Sequence, residues 1–152
     1  MEDFTQLSGL QLDALKEIGN IGAGNAATAL AQMVQTKIDM TVPRVSILPF
    51  ADVPDLLGGA DAHVVGIYFI VTGPAPTSIL FILTAEKAGL LVDMLLQRKA
   101  GETDVYNLSE MEMSAMMELG NILSATYLNA MSMFTQLNFI PSVPALGMDM
   151  AG

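Results

Sequence analysis

The pattern [Asp/Ser]-x3-Glu-x2-Asn-x22-Pro occurs twice in this chain, 101 positions apart. Asp13, Glu17, Asn20 and Pro43 form the first copy, and Ser114, Glu118, Asn121 and Pro144 form the second. The local strings are Glu17-Ile18-Gly19-Asn20-Ile21 and Glu118-Leu119-Gly120-Asn121-Ile122. Self-similarity at a fixed offset means one structural unit used twice. A carboxylate and a carboxamide are costly to bury, so the duplicated pair reads as two equivalent polar sites and not as core.

Hydrophobic periodicity sets the elements. Leu12, Leu15, Ile18 and Ile21 recur at helical spacing and predict a helix over Leu10–Gln35, with Ser8 as N-cap and with Leu12, Leu15 and Ile18 anchoring it. Its many small residues imply close approach of a neighbour, and Gly22–Gly24 a kink or break. Lys37–Leu48 reads as a strand in which Pro43 marks an edge, a bulge or an end. Asp52–Asp61 is a polar connection. His63–Thr72 and Thr77–Thr84 are strands joined by the turn Gly73-Pro74-Ala75-Pro76. Ala85–Lys99 is an amphipathic helix with Leu90, Leu91, Met94 and Leu95 inward, and Ala100–Tyr106 a linker. A capping box, Ser109 with Glu112, opens a second long helix to Thr135, and Asn138–Val143 forms a strand ending at Pro144.

These elements describe a single domain over residues 1–152, with a first repeat at about 8–108 and a second, incomplete one at about 109–152. The offset applied to His63 and Thr77 puts the second repeat's counterpart strands past Gly152. A C-terminal continuation of roughly 50 residues is therefore expected, since a half-repeat alone leaves a sheet edge unpaired.

Composition narrows the function classes. The net charge of −10, with only six Lys and Arg, disfavours nucleic acid and suits a basic protein surface. The longest apolar run, about Val64–Val71, is far shorter than the ~20 residues of a spanning helix. The N-terminus has no basic region of a signal peptide, so a cytoplasmic location without membrane insertion is expected. There is no cysteine, and His63 is the single histidine, read as structural or solvent-facing. Thiolate chemistry, acyl-transfer triads and a clustered metal site are thereby disfavoured. Met111, Met113, Met116, Met117, Met131 and Met133 read first as core, and second as a plastic partner surface.

On a helix, Asp13, Glu17, Asn20 and Gly24 share one stripe, as do Ser114, Glu118, Asn121 and Ala125. Each stripe presents a carboxylate beside an amide, with a small residue one turn on. Asn is neither a base nor a nucleophile, but it can hold a water in line for attack, as a Gln does in GTPases. Glu can act as a base, hold a cation or grip a partner's lysine. Gly22-Ala23-Gly24-Asn25-Ala26-Ala27 matches a dinucleotide fingerprint, but a helix precedes it where a strand is required.

The duplicated string, with its Asn-x22-Pro spacing, resembles the CheC family of bacterial chemotaxis phosphatases from Leu10 to Pro144. The resemblance implies an α/β fold: two pseudo-two-fold units of a helix and three strands, one mixed sheet, and two long motif helices packed side by side. It implies hydrolysis of the aspartyl phosphate on the response regulator CheY. Asn20 and Asn121 would orient the attacking water, and Glu17 and Glu118 would grip the regulator's lysine. Asp13, Ser114, Pro43 and Pro144 would support the site. The metal ion would be the regulator's, with no cofactor on this chain. The deamidase CheD and flagellar switch proteins are further implied partners. The alternative is a non-catalytic adaptor or FliY-like switch module that binds CheY or CheD.

Overall fold

The computed structural model describes residues 8–35 and 48–152. Two helices of equal length dominate it: α1 (Gly9–Val34) and α4 (Glu110–Thr135), 26 residues each and standing at the same offset as the motif. Their ends are built alike. Ser8 caps α1 in a capping box with Gln11, and Ser109 caps α4 in one with Glu112. Each helix stops at a glutamine in the left-handed region, Gln35 (φ 55°) and Gln136 (φ 61°). The reciprocal bonds satisfy N–H groups that a helix start leaves without partners. α1 runs unbroken through Gly22–Gly24, which corrects the expected kink.

Between the long helices come a short 3₁₀ turn (Phe50–Asp52), α2 (Val53–Leu56), β1 (His63–Thr72), β2 (Thr77–Thr84) and α3 (Ala85–Leu95). β3 (Ile140–Pro141) and β4 (Ala145–Met150) follow α4. The expected strand at Lys37–Leu48, including Pro43, lies outside the described residues apart from Leu48, which is irregular.

β1 is the central strand. β2 pairs with one edge through the expected hairpin, and β3 and β4 pair with the other. At the hairpin, Gly73 has φ 141°, where a Cβ would collide with the Asn138 carbonyl oxygen, so glycine is required there. Every ladder among the described residues is antiparallel, whereas the resemblance implies a mixed sheet that includes the Lys37–Leu48 strand, which lies outside them apart from Leu48.

The strand also does not end at Pro144. Pro141 pairs with Val71 and Ala145 with Tyr68, so one extra residue is accommodated between them. Ser142 bridges this bulge: its N–H donates to the Ile70 carbonyl (2.8 Å), and its hydroxyl accepts from the Ile70 N–H (3.0 Å). A proline has no N–H for a ladder, so Pro144 fits a bulge.

Alternation along β1 directs Val65, Ile67 and Phe69 into the main core, where they join Ala88 and Val92 of α3, Val105, and Met116 and Leu119 of α4. Val71, Leu128 and Phe139 form a second cluster. α1 packs along α4. A Cβ on Gly22 would lie 2.6 Å from the Tyr127 ring, so the small face of α1 receives an aromatic ring of α4. The repeat counterparts of Gly22 and Tyr127 are Leu123 and Ala26, so small and large are exchanged across this contact. Leu12 and Leu15 stay exposed, and Ile18, Gly19, Gly22, Ala26 and Val34 are the buried residues of α1. α3 ends at Leu95, short of Lys99, and Leu90 faces outward. Of the methionines, Met116 is buried, Met117 and Met131 are half-buried, and Met111, Met113 and Met133 are exposed.

Two buried carboxylates fix the segment between α3 and α4. Asp93 accepts from the Thr103 hydroxyl and from the Gly101 N–H (2.9 Å). Glu112 accepts from the Ser109 N–H (2.8 Å) and pairs with Arg98 at 2.7 Å. The Thr103 hydrogen bond, against the opposing effect of burial, holds the Asp93 carboxyl below the usual range. The Ser109 N–H and then Arg98 do the same for Glu112. A carboxyl whose folded pKa is lowered stabilises the protein above the ordinary carboxylate pKa of ~4, and that stability is lost as pH falls through the folded value. Urea midpoints should therefore fall below about pH 4. The decline should be shallower in a Glu112→Gln variant; equal slopes for variant and wild type would reject this role.

Candidate active site

The four-residue string of each motif spans one helical turn and divides between core and solvent. In α4, Leu119 and Gly120 are buried, while Glu118 and Asn121 are exposed. In α1, Ile18 and Gly19 are buried, Glu17 is exposed and Asn20 is half-buried. The middle pair anchors the helix, as a period of 3.6 residues requires, while Glu17, Glu118 and Asn121 face solvent and Asn20 sits at the boundary. Gly120 shows how close the anchoring is: a Cβ there would lie 2.6 Å from Ile67 Cγ2 and 3.3 Å from Phe69 Cζ. The small residues of the first helix imply close approach of a neighbour, but that expectation does not extend to Gly120. The recurrence of glycine at the same place in both copies was the available signal for this contact.

The rest of each stripe is open. Asp13 and Gly24 on α1, and Ser114 and Ala125 on α4, are exposed. Among the described residues, no side chain of Asp13, Glu17, Asn20, Ser114, Glu118 or Asn121 makes a hydrogen bond or ion pair. The Asn20 side-chain carbonyl oxygen is buried without a partner. Such an atom costs about 1–3 kcal/mol, and unsatisfied groups of this kind call for an explanation beyond stability. Among the described residues, the geometry thus gives two helix faces, each with an unpartnered carboxylate next to an unpartnered amide.

The other candidates fall elsewhere. Pro144 is buried in the sheet bulge, and Pro43 lies outside the described residues. His63 is exposed, with Nδ1 2.7 Å from the Tyr106 hydroxyl, in keeping with the structural or solvent-facing reading. The string Gly22–Ala27 lies inside α1, so it forms no phosphate-binding turn. Among the described residues, no group of three His, Cys, Asp or Glu side chains is placed to hold a metal ion.

The CheC-like family model matches residues 10–47 and 111–148, two stretches that stand at the motif's own offset. The CheY-P phosphatase CheC of Bacillus subtilis (strain 168) is 40% identical over 154 residues, spanning 100% of this chain and 73% of that protein. The chain belongs to the CheC-like family. Its fold recurs in the crystal structure of Thermotoga maritima FliY (TM-score 0.79, 23% identity, 96% of this chain and 72% of that one). It recurs also in a chain of the CheX–CheY–BeF3–Mg complex from Borrelia burgdorferi (TM-score 0.57, 18% identity, 82% of this chain and 72% of that one).

Proposed function

We propose that this CheC-like chain hydrolyses the aspartyl phosphate of the chemotaxis response regulator CheY, using Glu17/Asn20 and Glu118/Asn121 as two sites. The observation that carries this reading is the pair of Glu/Asn stripes, unpartnered among the described residues, at the same register of two 26-residue helices. The 40% identity to a CheY-P phosphatase supports it.

An aspartyl phosphate is an activated acyl phosphate, so positioning a water accounts for most of the catalytic task. The amide of Asn20 or Asn121 holds the water opposite the leaving oxygen. The water oxygen forms the new bond to phosphorus, and the bond from phosphorus to the aspartyl oxygen breaks. The regulator's carboxylate leaves, and the water's proton passes to phosphate or solvent. Glu17 or Glu118 grips a lysine of the regulator, which seats the amide. The metal ion belongs to the regulator in this reading. Asp13 and Ser114 complete the polar stripe.

A cytoplasmic location belongs to the same proposal. No helix among the described residues is long and apolar enough to cross a membrane. Contacts with CheD and with flagellar switch proteins rest on the family resemblance and extend the proposal.

The test is turnover. At one part protein to about fifty parts phospho-CheY, the regulator should lose its phosphate with a single accelerated half-life. Loss that stops after two equivalents, or binding without acceleration, would assign the chain to the adaptor class instead.

A further inference from the structure

Each motif glutamate sits in an apolar frame that the repeat preserves. Leu10 lies two turns before Glu17, and Ile21 one turn after it, on the same helical row. In α4 the corresponding row is Met111, Glu118 and Ile122. Leu10 is 81% exposed and Met111 64%, and both are described helix residues. Ile21 is exposed and Ile122 half-buried. Isolated surface hydrophobes need no explanation. Two large ones at the same register in both copies, on the row that carries the glutamate, are a different matter. The side chains are not alike, Leu against Met, so the shared property is an exposed apolar contact at a fixed place.

We infer that Leu10 and Met111 are specificity-determining docking residues, each covered by an apolar patch of the response regulator next to the lysine that its glutamate grips. This rests on the function proposed above. The occupant follows from continuity with the stripe: a body that seats on Glu17 or Glu118 must pass over the residue two turns away on the same row. Burying the apolar residue also screens the lysine–glutamate pair from water, which strengthens the attraction between the two charges against the cost of desolvating them. The opposite flank offers an internal comparison. Leu12 and Met113 are also repeat equivalents and also exposed, but they lie well off the glutamate row.

The experiment measures the Kd for CheY loaded with beryllium fluoride and magnesium, a stable stand-in for the phosphorylated regulator, beside the kcat and KM for phospho-CheY. A Leu10→Ala/Met111→Ala variant should bind about tenfold more weakly and show a similar rise in KM, with kcat kept within about twofold. Exchange of the two side chains (Leu10→Met with Met111→Leu) should retain wild-type Kd. Leu12→Ala/Met113→Ala should leave Kd within about twofold. Equal Kd for wild type and the Leu10/Met111 variant, or an equal loss from the Leu12/Met113 variant, would overturn the assignment. Kd reads docking and kcat reads turnover. A wild type that binds but does not turn over would therefore reject the proposed function while still deciding this one.

Discussion

Replacing Asn20 and Asn121 together by alanine should abolish most of the acceleration of phosphate loss from phospho-CheY, about 100-fold in kcat or more. The expected loss follows from what the amide is asked to do. If Asn orients the water, its removal leaves the regulator bound but the nucleophile unplaced, so kcat falls while binding persists. Glu17→Ala/Glu118→Ala should show the other signature, chiefly a raised KM, because a grip on the regulator is present before the chemistry begins. Folding gives an independent control. Asn121 is exposed and makes no side-chain bond, so its loss should change stability by under about 0.5 kcal/mol. Asn20 has a buried carbonyl oxygen without a partner. Deleting it removes an existing penalty and should leave the protein as stable as before, or more so. Stopped-flow or radiolabel decay with a urea titration beside it checks both halves. Undiminished acceleration by the double variant would refute the catalytic role of the amides.

The same absence of structural partners is why the candidate site is legible in the sequence as a pattern. A motif repeated in polar residues with no structural partner leaves its mark on spacing alone. The register of Glu17 with Glu118 and of Asn20 with Asn121 needed no coordinates, and neither did the capping box of Ser109 and Glu112. The packing beneath was less legible. Periodicity alone set Leu12 and Leu15 as anchors of α1, yet both are exposed, and Gly19, Gly22 and Ala26 are buried instead. A helix that is approached closely on its small face defeats a reading that equates large apolar residues with burial. The kink expected at Gly22–Gly24 failed for the same reason: packing against α4 outweighs a propensity cost of ~1 kcal/mol per glycine. Pro144 misled in another way. A proline inside a strand usually ends it, but here a one-residue bulge absorbs it, and the strand line continues to Met150.

Gly120 concentrates these points, and Gly120→Val should be the most destabilising of the substitutions considered, by about 3 kcal/mol. A Cβ there would lie 2.6 Å from Ile67 Cγ2 and 3.3 Å from Phe69 Cζ. Ile67 and Phe69 are 1% and 0% exposed on the central strand and cannot swing into solvent. The contacted Ile67 atom is a branch at Cβ, which is stiff at χ1. The helix must therefore lift from the sheet, carrying Glu118 and Asn121 with it. Gly24→Ala makes the contrast, since no atom lies within 4 Å of its Cβ position and α4 already carries Ala125 at the equivalent place. Relief of backbone entropy should raise stability there by about 1 kcal/mol, with turnover unchanged. Urea midpoints of the two variants against wild type decide the matter. If Gly120→Val were as stable as wild type, α4 would not be seated on β1 by this glycine. The recurrence of Gly beside Glu and Asn would then belong to the site's chemistry, not to the closeness of helix and sheet that holds the pair in place.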